Sequence, residues 1–156
     1  GANLEARDKD ECTPLHLAAN YGKEATVWAL VAVRANLEAW GKYQRTPLHL
    51  AALKGSEAVV QALLCAGANL EAQQDGNQRT PLHLATEKGH EATVQALAAA
   101  GANLEAQDKD KLTPLHLAAK EGREATAQSL LAAGANLEAQ DKDQCTPLQW
   151  AERNGH

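Results

Sequence analysis

Leucine and alanine fall in short blocks along this chain, with polar, turn-forming stretches between them. The cleanest block predicts a short helix from Leu115 to Glu121. Thr113 stands ahead of it as an N-cap able to accept a free backbone N–H, and Pro114 fits the first helical position, where no N–H is needed. Gly122 can close the helix in the left-handed region. A second helix is predicted from Glu124 to Ala133, ended by Gly134. Asn136-Leu137-Glu138-Ala139 then leads into Gln140-Asp141-Lys142-Asp143, a polar run that predicts a hairpin-like projection. Two helices this short are not stable alone and must bury their Leu and Ala faces against neighbours.

The neighbours are copies of the same unit. Thr-Pro-Leu-His begins at Thr13, Thr46, Thr80 and Thr113, and Thr146 opens a Thr-Pro-Leu-Gln variant, at spacings of 33, 34, 33 and 33 residues. Gly-Ala-Asn-Leu-Glu-Ala keeps the same beat from Gly1, Gly67, Gly101 and Gly134, with Arg34 in place of the glycine in the second copy. The prediction is an all-α solenoid of about five stacked turn-helix-helix units over residues 1–156: 1–33, 34–66, 67–100, 101–133 and an incomplete 134–156. Residues that repeat make the scaffold, so a specific function must sit where the copies differ. The 34-residue interval places one extra residue in Gln73-Gln74-Asp75-Gly76-Asn77, which should bulge that tip.

A net charge of −5 with scattered Lys and Arg argues against nucleic acid and anionic membrane as partners. No apolar run approaches the ~20 residues that span a bilayer. Cys12 and Cys145 share a slot four units apart, roughly 40 Å at the usual helix spacing, so they cannot pair. Unpaired thiols fit a reducing, cytoplasmic compartment.

Candidate chemistry is thin. His16, His49, His83 and His116 resemble a row of ligands, but copies one unit apart cannot share a metal whose ligands lie about 2 Å away. They are expected to tie the turns together by hydrogen bonds, and His90 carries no evident chemistry. The Asp-Lys-Asp runs at Asp8, Asp108 and Asp141 are expected to be solvated turns rather than calcium cages. No phosphate loop, nucleophile constellation or paired-cysteine motif is present, so no catalytic residue, cofactor or metal is assigned.

The 33-residue period with Thr-Pro-Leu-His-Leu-Ala-Ala resembles the ankyrin repeat over essentially the whole chain. The resemblance implies an L-shaped stacked fold and a non-catalytic protein-binding module using the turn tips and the concave face of the first helices. Ankyrin turns usually carry Gly two residues before the Thr; here Glu11, Gln44, Gln78, Lys111 and Gln144 stand there, so the tips should bend differently or carry strain. Glu5, Glu38, Glu71, Glu105 and Glu138 replace an Asn that is hydroxylated in some relatives, so that modification is not expected.

The copies differ at tip and helix-end slots. Tyr21, Trp40, Tyr43, Arg45 and Leu53 fall on the first two units and are of types favoured at binding hot spots or stand at exposed slots. The candidate protein-binding residues are Asn20, Tyr21, Trp40, Lys42, Tyr43, Arg45, Leu53, Lys54, Arg79 and Leu112. Trp28, on an outer-face slot that holds Gln in the other units, either covers the first unit or joins this surface. Variation at these slots over near-identical frameworks suggests an engineered or diversified binder; the alternatives are a fragment of a natural intracellular adaptor, or a bare scaffold. Terminal units usually need a polar outer face. At least one end is therefore expected to leave apolar surface uncovered, around Leu148 and Trp150, where copies could associate end to end.

Overall fold

The computed structural model describes residues 3–74 and 76–156. Gly1, Ala2 and Asp75, the last within the predicted bulge, lie outside the described residues. Among the described residues the α-helices are α1 (Pro14–Asn20), α2 (Glu24–Ala32), α3 (Pro47–Lys54), α4 (Glu57–Cys65), α5 (Pro81–Lys88), α6 (Glu91–Ala99), α7 (Pro114–Lys120), α8 (Glu124–Ala132) and α9 (Pro147–Asn154), with a short 3-10 turn at Lys42–Gln44 and no strand. Odd-numbered helices pack into one row and even-numbered helices into a second, each pair α1–α2 to α7–α8 also packing within its unit. The projecting tips are tight turns rather than strand ladders.

The sequence signature that starts each odd helix is a capping device. Thr113 lies at the N-cap in extended conformation, Pro114 follows, and the cap is reciprocal, with His116 where Glu or Gln usually stands. The His116 Nδ1 accepts the Thr113 N–H at 3.2 Å. The proton is therefore on Nε2, which donates to the Cys145 carbonyl of the next unit at 2.9 Å. His16, His49 and His83 do the same to the carbonyls of Arg45, Arg79 and Leu112. Each imidazole holds its own helix start and the following tip, as expected. Burial lowers the pKa of His16 and pushes those of His49 and His83 down to about 4, so the rings are neutral at pH 7.

A second ladder went unread in the sequence. The carboxylates of Glu5, Glu38, Glu71 and Glu105 accept the backbone N–H of Asn36, Asn69, Asn103 and Asn136 in the next unit, at 2.7 to 2.9 Å. These charge-assisted bonds span adjacent units along the stack. The Asn side chains in turn accept the N–H of the Glu two residues on. His90 also has a place, contrary to expectation. It is half-buried, donates through Nε2 to the Leu53 carbonyl at 3.1 Å, and lies over Gly55. A Cβ on Gly55 would stand 2.5 Å from its Nδ1, so this glycine is what lets the next unit approach.

The core is built from repeated small and branched residues. Leu15, Leu48, Leu82 and Leu115 share one slot and are all buried, as are Val27, Val60 and Val94 in another, with Ala19, Ala52 and Ala85 between the helices. Small alanines let the rows lie close, so short helices gain dense contact. Leu148 occupies the same slot as the four buried leucines yet is 58% exposed. Together with Leu131, Leu137 and Ala151 it lines an apolar groove of about 380 Å³ beside α9. Apolar surface is thus uncovered at Leu148. Trp150 is a correction: it is half-buried on the tip side, where its Nε1 donates to Asp141 at 2.8 Å.

Arg34 closes the end of α2 as glycine does in the other copies. It takes φ +63°, as the glycines of the other copies do, and keeps both closing bonds, from its own N–H to Val31 and from the Ala35 N–H to Leu30. The cost is backbone strain in a residue with a Cβ. Trp28 likewise keeps a framework bond: its Nε1 donates to Glu24 as Gln61, Gln95 and Gln128 donate to Glu57, Glu91 and Glu124.

Candidate binding surface

The tips share one closing bond. Asp8, Gly41, Asp108 and Asp141 each donate their N–H to the carbonyl four residues on, at Cys12, Arg45, Leu112 and Cys145. Gln74 makes the equivalent bond to Arg79, five residues on, so the extra residue of the third unit is absorbed inside its tip. The glycine-type turn is retained without glycine: Glu11, Gln44, Gln78, Lys111 and Gln144 all have φ between +52° and +60°. The expected strain is therefore present in every tip.

Where an Asp begins the tip, its side chain offsets that strain. One oxygen of Asp108 accepts the N–H of both Asp110 and Leu112, and the other accepts from Arg79. Asp8 and Asp141 hold their own tips in the same way through the N–H of Asp10 and Cys12, and of Asp143 and Cys145. Burial alone would raise the Asp141 pKa, but the N–H donors of Cys145 and Asp143 and the Trp150 indole hold it below the usual range. The Asp-Lys-Asp runs are thus tip clamps, with Asp108 and Asp141 buried rather than solvated. The lysines reach back one unit: Lys142 pairs with Asp110 at 2.7 Å and Lys42 with Asp10 at 3.1 Å. The Asp10 bond raises the Lys42 pKa.

The second tip departs from this scheme. Gly41 stands in the Asp slot and offers no carboxylate. Two consecutive residues, Tyr43 at φ +61° and Gln44 at φ +52°, lie in the left-handed region, where each other tip has one non-glycine residue there among the described residues. The turn presents Tyr43, 61% exposed, with Lys42 and Arg45 each about 5.5 Å from its ring centre.

The candidate residues divide among three places. Asn20, Tyr21, Lys42, Tyr43 and Arg45 line one recess of about 400 Å³ formed by the first two tips, α1 and Leu50 of α3. Leu53, Lys54 and Arg79 line the next recess, of about 510 Å³, which Arg45 shares. Trp40 is exposed but lines neither, and its carbonyl accepts from the Arg7 guanidinium. Leu112 is a correction. Its slot was expected to be exposed, but it is 5% exposed, because the Asp108 clamp and the His83 bond to its carbonyl draw it under the tip.

Gln74, Asn77, Glu87 and Lys88 also line the second recess and were not singled out from sequence. Gln74 carried a readable signal, since it follows the same Ala-X pair that precedes Asp8, Asp108 and Asp141. Among the described residues no three or more His, Cys, Asp or Glu side chains gather in a way that could hold a metal ion, and no helix is long and apolar enough to cross a membrane.

A family model described as ankyrin repeats matches the chain in three overlapping copies, at residues 1–74, 68–141 and 101–156. No individual curated protein matches it.

Proposed function

Because the chain belongs to the ankyrin-repeat family, whose repeats are generally protein–protein interaction modules and typically non-catalytic, we propose that it binds a folded partner protein on its tip side. The binding surface is centred on the first two units. One observation carries this reading: Asn20, Tyr21, Tyr43 and Arg45, from slots where the copies differ, converge with the repeated Lys42 on one recess beneath the strained second tip. Tyr and Arg supply large contact area with polar ends, and left-handed non-glycine backbone is retained where presentation of a side chain offsets its cost. Near-identical frameworks with variation at these slots support a selected or diversified binder, a natural adaptor fragment being the alternative. Three unpaired thiols support a cytoplasmic setting.

The test is capture of a partner by the intact chain, its identification, and titration of the purified pair. A saturable 1:1 complex is expected. Tyr21→Ala/Tyr43→Ala should weaken it at least tenfold, about 1.4 kcal/mol or more, while Trp40→Ala should change it little. Unchanged affinity in the double variant would remove the assignment. The groove at Leu148 supports a second reading, association of copies through that end. Sedimentation at rising concentration checks it: Leu148→Glu should abolish any increase in mass, and a strict monomer in the unmodified chain rejects it.

A further inference from the structure

The variable slots concentrate positive charge in one place. The residue before the helix-starting Thr is Cys12, Arg45, Arg79, Leu112 or Cys145, and only the second and third units carry Arg there. The residue before the glycine that ends the first helix is Tyr21, Lys54, Lys88, Glu121 or Asn154, and only the same two units carry Lys. These two slots are distant in sequence, yet all four cations line the single recess between the second and third units. Glu87 is the one acid among its described lining residues, in a chain whose net charge is −5.

The cations are not equally committed. Arg79 is compensated twice, by Asp108 at 3.2 Å and by Glu87 at 3.0 Å. Arg45 reaches the equivalent position in the next unit and finds Gln74, a neutral amide, at 2.7 Å. The step from Asp to Gln leaves the Arg45 charge uncompensated by that partner, and its Nη nitrogens donate to no acceptor among the described residues. Lys54 and Lys88 form no ion pair among the described residues and stand exposed at the rim. A planar guanidinium braced through Nε with its fork open is arranged to receive a carboxylate in bidentate fashion, with the two ammonium groups flanking it.

We propose that this recess receives an acidic segment of the partner protein, with an Asp or Glu carboxylate on the Arg45 fork and further acids facing Lys54 and Lys88. A nucleic acid fits less well. The cations form one recess rather than a stripe along the stack, in a chain of net charge −5, so an extended polyanion finds no continuous basic track. The assignment rests on the tip side being the binding surface and adds the chemistry of what lands there.

The experiment follows backbone amide shifts of the intact protein at about 50 mM salt, where surface charges are weakly screened. The titrants are a short poly-glutamate peptide, a poly-lysine peptide and oligothymidine of matched length. Poly-glutamate should shift amides around Arg45, Lys54, Arg79 and Lys88 in a saturable way. Lys54→Glu/Lys88→Glu, at exposed helix ends, should lower its affinity at least tenfold, and Lys109→Glu/Lys120→Glu should leave it within twofold. Absence of shifts, shifts spread equally over Lys9, Lys23, Lys109 and Lys111, or an equal response to oligothymidine at the recess would each overturn the proposal. Loss of partner binding in Tyr21→Ala/Tyr43→Ala is independent of this titration, so either reading can fail while the other stands.

Discussion

The second and fourth tips have the same length and the same closing bond, yet they are held in opposite ways. In the fourth, a buried carboxylate gathers two backbone N–H groups and an arginine, and the residue before the Thr is drawn inside. In the second, a glycine occupies the carboxylate slot, two consecutive residues take left-handed backbone, and a tyrosine is thrown outward with an arginine behind it. The fourth tip's carboxylates are engaged by its own N–H groups and by Arg79 and Lys142 of the adjoining units. The second leaves Tyr43 exposed and Arg45 held only through Nε on the neutral Gln74 amide.

Acid should strain both tips, since each is latched by a neutral imidazole. Burial lowers the pKa of His16, which holds the second tip, and His49 and His83, which hold the third and fourth, have folded pKa values near 4, below the ordinary 6.5. The unfolded chain therefore takes up protons first, so stability is complete above pH 6.5, falls as pH drops toward 4, and is level below. His49 and His83 should each contribute a loss of about 3 kcal/mol across that window. Urea unfolding at a series of pH values checks it, and a flat profile between pH 6.5 and 4 would refute the latch. In amide exchange over the same range, the second tip should open before the fourth, because no carboxylate clamp stands behind it.

Asp108→Ala strips the fourth tip of its clamp, leaving the Asp110 and Leu112 N–H groups and Arg79 short of an acceptor. Thermal or urea unfolding should show a loss of about 2 kcal/mol. The converse change, Gly41→Asp, meets backbone that any residue can adopt, but its Cβ would lie 3.2 Å from the His16 ring. Its effect on stability should stay within about 1 kcal/mol. Partner affinity should drop, because a clamped second tip no longer throws Tyr43 outward; equal affinity would show that the turn shape is irrelevant.

Arg34→Gly relieves left-handed strain outside both tips and should stabilise by about 1 kcal/mol, since the closing bonds are already those of the glycine copies. Tyr43→Gly should gain less, about 0.5 kcal/mol, because it also loses the ring contacts with Lys42 and Arg45. It should nevertheless weaken partner binding. Stability and affinity moving in opposite directions is the signature of a residue kept for contact.

Much of this was legible in the sequence because it repeats. Thr-Pro-Leu-His at a fixed period announced the helix starts, the stacking and the structural role of the histidines, whereas the missing tip glycines left open whether the tips bend differently or carry strain, and the structure keeps the left-handed turn. The Glu5–Glu105 ladder was not legible as such, since nothing in a Glu-Ala pair says that its carboxylate ends on a backbone N–H about thirty residues away. Leu112 and Trp150 were misjudged for a related reason. Slot position predicted exposure for one and an uncovered end for the other, but a neighbouring Asp reorganised both.

Local chemistry written into one unit, its caps, its turn residues and its apolar spacing, was enough to determine the unit and its repetition, because those interactions span only a few residues. Which variable side chains share a recess was decided by the stack. Arg45 and Gln74, or Tyr21 and Tyr43, are far apart along the chain and meet only because successive units are laid side by side, where the distance between slots is set by helix packing rather than by sequence separation.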